Sequence, residues 1–232
     1  MAFARTGLPR TAEAIAAGEL RAAIVRGDLA PGTKIRQEAT AQQLGMSLIP
    51  VREALKTLAG EGALTYLPQR GYFVPELPGG AIAQMYEARG VLEAATERAA
   101  LPNLREDDIA SMREHLHAQR RAAEDRDAVA MIAANRGFHF AVFDRCENPW
   151  LVRFTAQLWD AVDPYRVLSY RRMWLDADEQ LIPQEILVEH ERILDALAAG
   201  EGGLALSLLA AHRGRSRTFL DALGPAAAGG AR

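Results

Sequence analysis

The sequence predicts a mainly α-helical protein, with an N-terminal winged helix-turn-helix and a C-terminal antiparallel helical bundle. Three observations predict this fold class: helical periodicity through most of the chain, strand-like segments only between residues 63 and 74, and a Pro/Gly-rich stretch, PELPGG, at 75–80. We therefore expect a first domain at residues 1–75, a linker at 76–80, a helical domain at 81–223 and a disordered tail at 224–232.

The segment that follows Gln37 predicts two helices joined by a tight turn. Gly45 can adopt the left-handed backbone conformation that ends a helix. Ser47 can cap the next helix with its hydroxyl, and Pro50 falls in the first turn, where a missing N–H costs little. Two helices separated by about three residues around a glycine are typical of the helix-turn-helix motif.

The second helix of this pair has an apolar face and a polar face. Val51, Leu55 and Leu58 recur at helical spacing and should face a small core. Residues spaced four apart on the opposite side form a ladder that would enter a DNA major groove. They are Leu48, Arg52 and Lys56.

A short hairpin follows this helix. The segments 63–67 and 72–74 have strand character and are joined through Pro68-Gln69-Arg70-Gly71, with Arg70 at the tip. Helices and hairpin together predict a winged helix-turn-helix with a basic wing. The alternative is a structural helix pair whose basic side chains are merely solvated.

The charge distribution favours a DNA-binding first domain. The 232-residue chain has a net charge of −3, but residues 1–75 carry +3 and the remainder carries −6.

A single cysteine, Cys146, excludes an intramolecular disulfide framework and is typical of a reducing cytosol. Neither an export signal nor a run of about 18 apolar residues is visible. We therefore expect a cytoplasmic protein.

Several residue runs resemble the DNA-binding domain of GntR-type bacterial transcription regulators over residues 11–75. They are GDLAPGTKI, QQLGMS, PVREAL, LAGEGAL and PQRGYFV. The resemblance implies binding of a homodimer to an inverted-repeat operator. Leu48 stands where such regulators usually carry Arg, and Glu38 stands where they often carry Arg. Leu48 could contact a thymine methyl group instead. The expected DNA-binding residues are Lys34, Arg36, Ser47, Leu48, Arg52, Lys56, Arg70 and Gly71.

Beyond residue 80 the strand signals end and helical periodicity continues. Asn148 before Pro149 is a favourable cap-then-first-turn pair. Helices near 20 residues with short connections predict an antiparallel bundle. The candidate helices are 81–100, 105–125, 128–146, 149–172, 183–199 and 204–223.

Three histidines of this bundle share a helical face with Leu, Ile, Val or Phe. Asn135 lies one turn before His139, and both point to the same side. His190 and His212 each lie eleven residues from Glu201, so both imidazoles should sit at the same height in an antiparallel helix pair. Converging imidazoles and an amide oxygen predict a site for Zn²⁺ or another divalent ion such as Ni²⁺. The alternative is three unconnected core histidines bonded to carbonyls.

The helical body also resembles the FCD domain, the C-terminal domain of FadR-type regulators, over roughly residues 79–222. The resemblance rests on YEAR-x-x-LE, NRGFH, ENPWL, EHERILDAL and a late A-x-H. It implies effector binding and dimerisation. The metal ligands of such domains map onto Asn135, His139, His190 and His212, with Asn in place of the commoner Asp.

Arg89 lies on the apolar stripe of the first bundle helix and has two interpretations. It can pair with Glu93 one turn later, or it can clamp the carboxylate of a small organic acid effector. We therefore predict a ligand-responsive transcription regulator without enzymatic activity. The alternatives are a metal-dependent helical enzyme fused to a DNA-binding module, and a purely dimerising bundle without an effector.

Overall fold

The computed structural model describes residues 11–76, 81–174 and 181–222. It divides into two compact units, Met1–Glu76 and Leu77–Arg232. The expected tail at 224–232 and most of the expected linker, residues 77–80, lie outside the described residues. Within them the chain is mainly helical with one small sheet, which confirms the predicted fold class.

In residues 11–76, the described part of the first unit, three helices pack with a three-stranded antiparallel sheet. The central strand is β3, and Lys34 and Thr65 both lie opposite Phe73 in its two neighbours. The two-residue strand β1 is too short for an alternating pattern, so the sequence did not predict it. The elements are α1 (Ala12–Val25), β1 (Lys34–Ile35), α2 (Gln37–Gln43), α3 (Leu48–Gly60), β2 (Thr65–Leu67) and β3 (Gly71–Phe73).

The core of this unit lies between α1 and α3. Val51, Leu55 and Leu58 are completely buried, as predicted. Helix α1 contributes Leu20 and Ile24 to this core, along with two alanines. Ile15 of the same helix is 42% exposed, because it lies outside the buried face of α1.

The turn between α2 and α3 has the expected backbone. Gly45 adopts a positive φ of 62°, which few other residues tolerate. Ser47 occupies the N-cap position of α3, but its side chain makes no capping hydrogen bond. The predicted hydroxyl cap is therefore wrong, although the helix begins where it was expected.

In the described residues of the second unit, six α-helices form a ring. Helix α4 packs against α7 and α9, α5 against α6 and α8, α6 against α7, and α8 against α9. Among the described residues, no helix is both long and apolar enough to span a bilayer. The helices are α4 (Ala81–Ala100), α5 (Glu106–Glu124), α6 (Ala128–Phe143), α7 (Pro149–Met173), α8 (Leu181–Ala198) and α9 (Gly202–Ala222).

Local sequence signals position the helices that face the ring interior. The Asp127 carboxylate accepts hydrogen bonds from the Val129 and Ala130 N–H groups and begins α6. The Asn148 oxygen caps α7 as predicted. Gly200, with φ 72°, ends α8, which lets α9 return antiparallel beside it.

Candidate metal centre and nucleic-acid interface

The three inward-facing histidines meet inside the six-helix ring. Ligand nitrogens of His139 on α6, His190 on α8 and His212 on α9 all lie within 4.8 Å of one another, and all three side chains are buried. The Nε2 atoms of His190 and His212 are 3.3 Å apart. The turn at Gly200 brings the last two histidines to the same height, as their equal spacing from Glu201 predicted.

The other ring nitrogens of His190 and His212 are held by acceptors. Nδ1 of His212 lies 2.6 Å from Glu189 Oε2, and Nδ1 of His190 lies 2.8 Å from Gln119 Oε1. Although burial opposes it, hydrogen bonds from His212 and Arg215 hold the pKa of Glu189 below its usual value. This carboxylate is therefore ionised and accepts a hydrogen bond from Nδ1 of His212.

His139 and His190 are neutral at physiological pH. Burial, followed by the neighbouring imidazoles, lowers the pKa of His139 well below its ordinary value. Burial and the neighbouring His212 do the same to the pKa of His190. Neutral imidazoles offer lone pairs rather than charges, which is the form that binds metal ions.

Asn135 lies one turn before His139 and is almost fully buried. Its Oδ1 accepts a 2.6 Å hydrogen bond from Nη2 of Arg166 on α7. Its Nδ2 has no hydrogen-bond partner among the described residues. The amide oxygen that the sequence assigns to a metal ion is therefore bonded to a guanidinium, and its role as a ligand stays a prediction.

Arg89 forms the ion pair that one of its two interpretations predicts, and its binding of an effector carboxylate stays a prediction. Its Nε and Nη2 donate to Glu93 Oε1 at 2.9 and 2.7 Å, so the predicted ion pair exists. Its guanidinium also lies 4.2 Å from the Trp159 ring centre. Its Nη1 is buried and has no hydrogen-bond partner within the described chain. One N–H pair of Arg89 is thus free to bind a further acceptor.

A small cavity connects these groups. Its volume is about 20 Å³, enough for one water molecule, so a larger occupant requires side chains to move. Its polar walls include Arg89, Asn135, His139, Arg166, His212 and Arg213.

Sequence reasoning missed four residues around this site. Gln119 shares the buried stripe of α5 with Met112 and Leu116, so the rule that identified the histidines could have found it. No comparable signal marks the others, because their contacts come from neighbouring helices. They are Arg166, Glu189 and Arg213.

The basic residues expected to bind DNA are exposed on the first unit. Nε of Arg52 donates to Gln37 Oε1 at 2.9 Å, which fixes the arginine against the start of α2. Nζ of Lys56 pairs with Glu53 at 2.8 Å. Arg70 at the wing tip lies 5.4 Å from the Phe73 ring centre.

Other predicted contact residues surround this surface. Nζ of Lys34 on β1 lies over the same ring, 5.9 Å from the Phe73 ring centre. Arg36 and Ser47 are exposed, and Gly71 has a positive φ of 97° where the wing turns. These residues place positive charge beside α3 and along the hairpin, as a DNA-binding surface requires.

Leu48 differs from its predicted place in the α3 ladder. It is half-buried and packs partly against the core of the first unit. The adjacent Ile49 is 73% exposed instead. The exposed face at the start of α3 is thus formed by Ile49, Arg52 and Lys56.

Comparisons with known proteins match both units. The model for bacterial regulatory proteins of the gntR family matches residues 11–74, and the FCD domain model matches residues 84–215. The transcriptional regulator McbR of Escherichia coli K12 is 35% identical over 60% of this chain and 62% of its own length. A probable D-xylose utilization operon transcriptional repressor of Paenarthrobacter nicotinovorans is 31% identical over 82% of this chain and 80% of that protein.

The similarity extends to three dimensions. The solved structure of E. coli McbR/YncC matches with a TM-score of 0.81 at 27% identity, covering 93% of this chain and 99% of that chain. Both resemblances deduced from sequence motifs are therefore confirmed. The chain belongs to the GntR family of bacterial regulatory proteins, and it is a DNA-binding transcription regulator with a C-terminal FCD domain.

Proposed function

We propose that this regulator binds a divalent metal ion and a small organic acid in its FCD domain, and that the acid modulates operator binding. In this proposal the protein acts as a cytoplasmic homodimer on an inverted-repeat operator. His139, His190 and His212 hold the metal ion, with Zn²⁺ favoured over Ni²⁺ and other divalent ions. The named relatives are transcription regulators, which supports a role without catalysis.

One distance supports the metal site most strongly. Nδ1 of His190 and Nδ1 of His212 face the side-chain oxygens of Gln119 and Glu189, and the two Nε2 atoms face each other across 3.3 Å. Two nitrogens bound to one tetrahedral Zn²⁺ at about 2.0–2.1 Å lie roughly 3.3–3.4 Å apart, so the spacing fits a shared metal ion.

The surroundings of the histidines suit such an ion. Gln119 and Glu189 fix the ring orientations from behind, which is the arrangement that supports metal-bound imidazoles. A bound ion would supply positive charge that attracts an anion into the cavity. The free Nη1 of Arg89, in the same cavity, supports a carboxylate as that anion.

The direct test of regulation is a mobility-shift assay on the DNA upstream of the protein's own gene. Arg52→Ala should weaken binding by about 1–3 kcal/mol, and binding should weaken steeply with salt. Arg113→Ala is the matched control, because Arg113 is an exposed arginine on α5. Binding that is indifferent to salt and to Arg52→Ala would contradict the assigned DNA surface.

The test of the effector is a thermal-shift screen of small organic acids, with and without added Zn²⁺ or Ni²⁺. An acid that binds the folded protein should raise the melting temperature, and the same acid should change operator affinity. Absence of bound metal and of stabilisation by any acid would leave the FCD domain as a dimerisation module only.

A further inference from the structure

Arg166 is a buried cation that lies within the proposed site and that the proposed function leaves unused. It is 9% exposed, and its guanidinium lies 5.3 Å from the Trp159 ring centre. Nη1 donates to Asp163 at 3.2 Å, and Nη2 donates to the neutral Oδ1 of Asn135 at 2.6 Å. One of its two prongs is thus occupied by an uncharged acceptor, which binds a guanidinium less strongly than a carboxylate does.

The proposed metal ion and the Arg166 guanidinium therefore compete for the side-chain oxygen of Asn135. The family pattern assigns this oxygen to the metal ion, whereas the structure gives it to Arg166. Arg166 is also near enough to His139 to contribute to the lowering of the pKa of that imidazole. While Arg166 holds the amide, a metal ion on the histidines gains no oxygen ligand from Asn135 and faces the guanidinium charge.

Unpaired donors show what could resolve this competition. Nη1 of Arg89 and Nδ2 of Asn135 are both buried without a hydrogen-bond partner in the described part of the chain. A buried donor without an acceptor has lost its hydrogen bonds to water without replacement, which is unfavourable. Both residues line the same cavity as Arg166. An anion with two or more acceptor oxygens would satisfy these donors.

The local charges also favour an anion once a metal ion is bound. Arg89, Arg166 and Arg213 are paired with Glu93, Asp163 and Glu97, respectively. Burial raises the pKa of Glu97 to about 7, so this carboxyl is only partly ionised at neutral pH. The cluster is therefore neutral or slightly positive before a divalent ion adds two charges.

We infer that Arg166 is a second effector-binding residue and that it couples the effector to the metal ion. A carboxylate that accepts from Nη2 of Arg166 replaces Oδ1 of Asn135 and releases this oxygen for the metal. The inference rests on the proposed metal and carboxylate binding. It assigns to Arg166 and Asn135 a positive coupling between the two ligands, so that each tightens the binding of the other.

The coupling can be measured directly on the full-length protein. Co²⁺ affinity is determined by titration of its visible absorption, first in carboxylate-free buffer and then with acetate. Acetate should tighten Co²⁺ binding of the natural protein roughly 5- to 20-fold and change the cobalt spectrum, as expected when an oxygen ligand is added. Arg166→Met and Asn135→Ala should each remove most of this enhancement.

Three comparisons separate this role from a merely structural one. Without acetate, Arg166→Met should bind Co²⁺ at least as tightly as the natural protein, because the Asn135 oxygen is no longer held. Arg166→Lys keeps the charge but loses the two-pronged geometry, so it should also lose most of the acetate enhancement. This variant serves as the test if Arg166→Met does not fold. Arg136→Met is the matched control, because Arg136 also pairs with Asp163 but makes no bond to Asn135; it should keep the enhancement.

The possible failures are distinct. Co²⁺ binding by the natural protein with no response to acetate, or an unchanged response in both Arg166 variants, would overturn the inference and leave the metal site standing. No Co²⁺ binding by the natural protein would overturn the metal site of the proposed function, and the inference with it.

Discussion

Nε2 of His190 and Nε2 of His212 lie 3.3 Å apart although the two residues are 22 positions apart in sequence. Nδ1 of the His190 ring is hydrogen-bonded to the amide of Gln119, and Nδ1 of the His212 ring is hydrogen-bonded to the carboxylate of Glu189. Two adjacent helices thus present paired nitrogens in fixed orientations at the centre of the ring. This preorganisation is the basis of the predictions that concern metal binding.

Metal removal should destabilise the FCD domain. A divalent ion at about 1,000 times its dissociation constant stabilises the folded state by about 4 kcal/mol, which corresponds to roughly 10 °C in melting temperature. His190→Gln should abolish this metal-dependent shift in differential scanning calorimetry. His117→Gln, at an exposed histidine of α5, should keep it. Equal shifts in both variants would argue against the histidine cluster as the metal site.

The residues behind the imidazoles should tune metal affinity. Gln119→Leu removes the acceptor for His190 Nδ1, and Glu189→Gln removes the charge that holds His212. We expect each change to weaken Zn²⁺ binding about 10- to 100-fold, measured by competition with a chromophoric chelator. Glu191→Gln, at a nearby half-buried carboxylate that pairs with Arg120 and not with the imidazoles, is the control and should have no effect. Unaltered affinity in the first two variants would make these contacts merely structural.

The histidine cluster shows how far sequence alone could predict the site. Inward periodicity and the equal distances of His190 and His212 from Glu201 were enough to predict their proximity, because both depend only on helix geometry. The bond between Asn135 and Arg166 could not be predicted. It depends on the rotation and separation of α6 and α7, which tertiary packing decides.

The metal-free protein should lose stability as the pH falls below about 6.5. The pKa values of His139 and His190 in the folded state lie well below the ordinary value of 6.5. Between those values the unfolded chain binds more protons, so the stabilisation is complete above about pH 6.5 and is lost as the pH falls towards the folded-state pKa. Each histidine contributes up to about 1.4 kcal/mol per pH unit.

Chemical denaturation of chelator-treated protein checks this dependence. His139→Leu should reduce the pH slope by roughly half, since one of the two histidines no longer contributes. His117→Leu changes an exposed histidine and should leave the slope as it is. A free energy of unfolding that stays constant between about pH 5 and 6.5 would show that these histidines do not titrate as buried groups.

The start of the recognition helix shows a second limit of sequence reasoning. The four-residue ladder correctly placed Arg52 and Lys56 on the exposed face of α3. It did not predict that Leu48 is half-buried, because the first turn of α3 lies where the chain leaves the helix-turn-helix turn, and the core reaches this residue as well. Apolar residues stand at both 48 and 49, so the pattern could not distinguish the inward one from the outward one.

Ile49, rather than Leu48, should therefore provide the apolar contact with operator DNA. Its side chain is 73% exposed at the N-terminal end of α3, where recognition helices contact base edges, and thymine methyl groups are the apolar feature of the major groove. Ile49→Ala should weaken binding to the operator fragment about fivefold, or roughly 1 kcal/mol, and should leave the melting temperature unchanged. Val91→Ala, at an equally exposed residue of α4, is the control and should affect neither. Leu48→Ala should lower the free energy of unfolding by about 1 kcal/mol, because it removes apolar surface from the core. If Leu48→Ala instead weakened DNA binding without loss of stability while Ile49→Ala had no effect, Leu48 would be the residue that faces the groove.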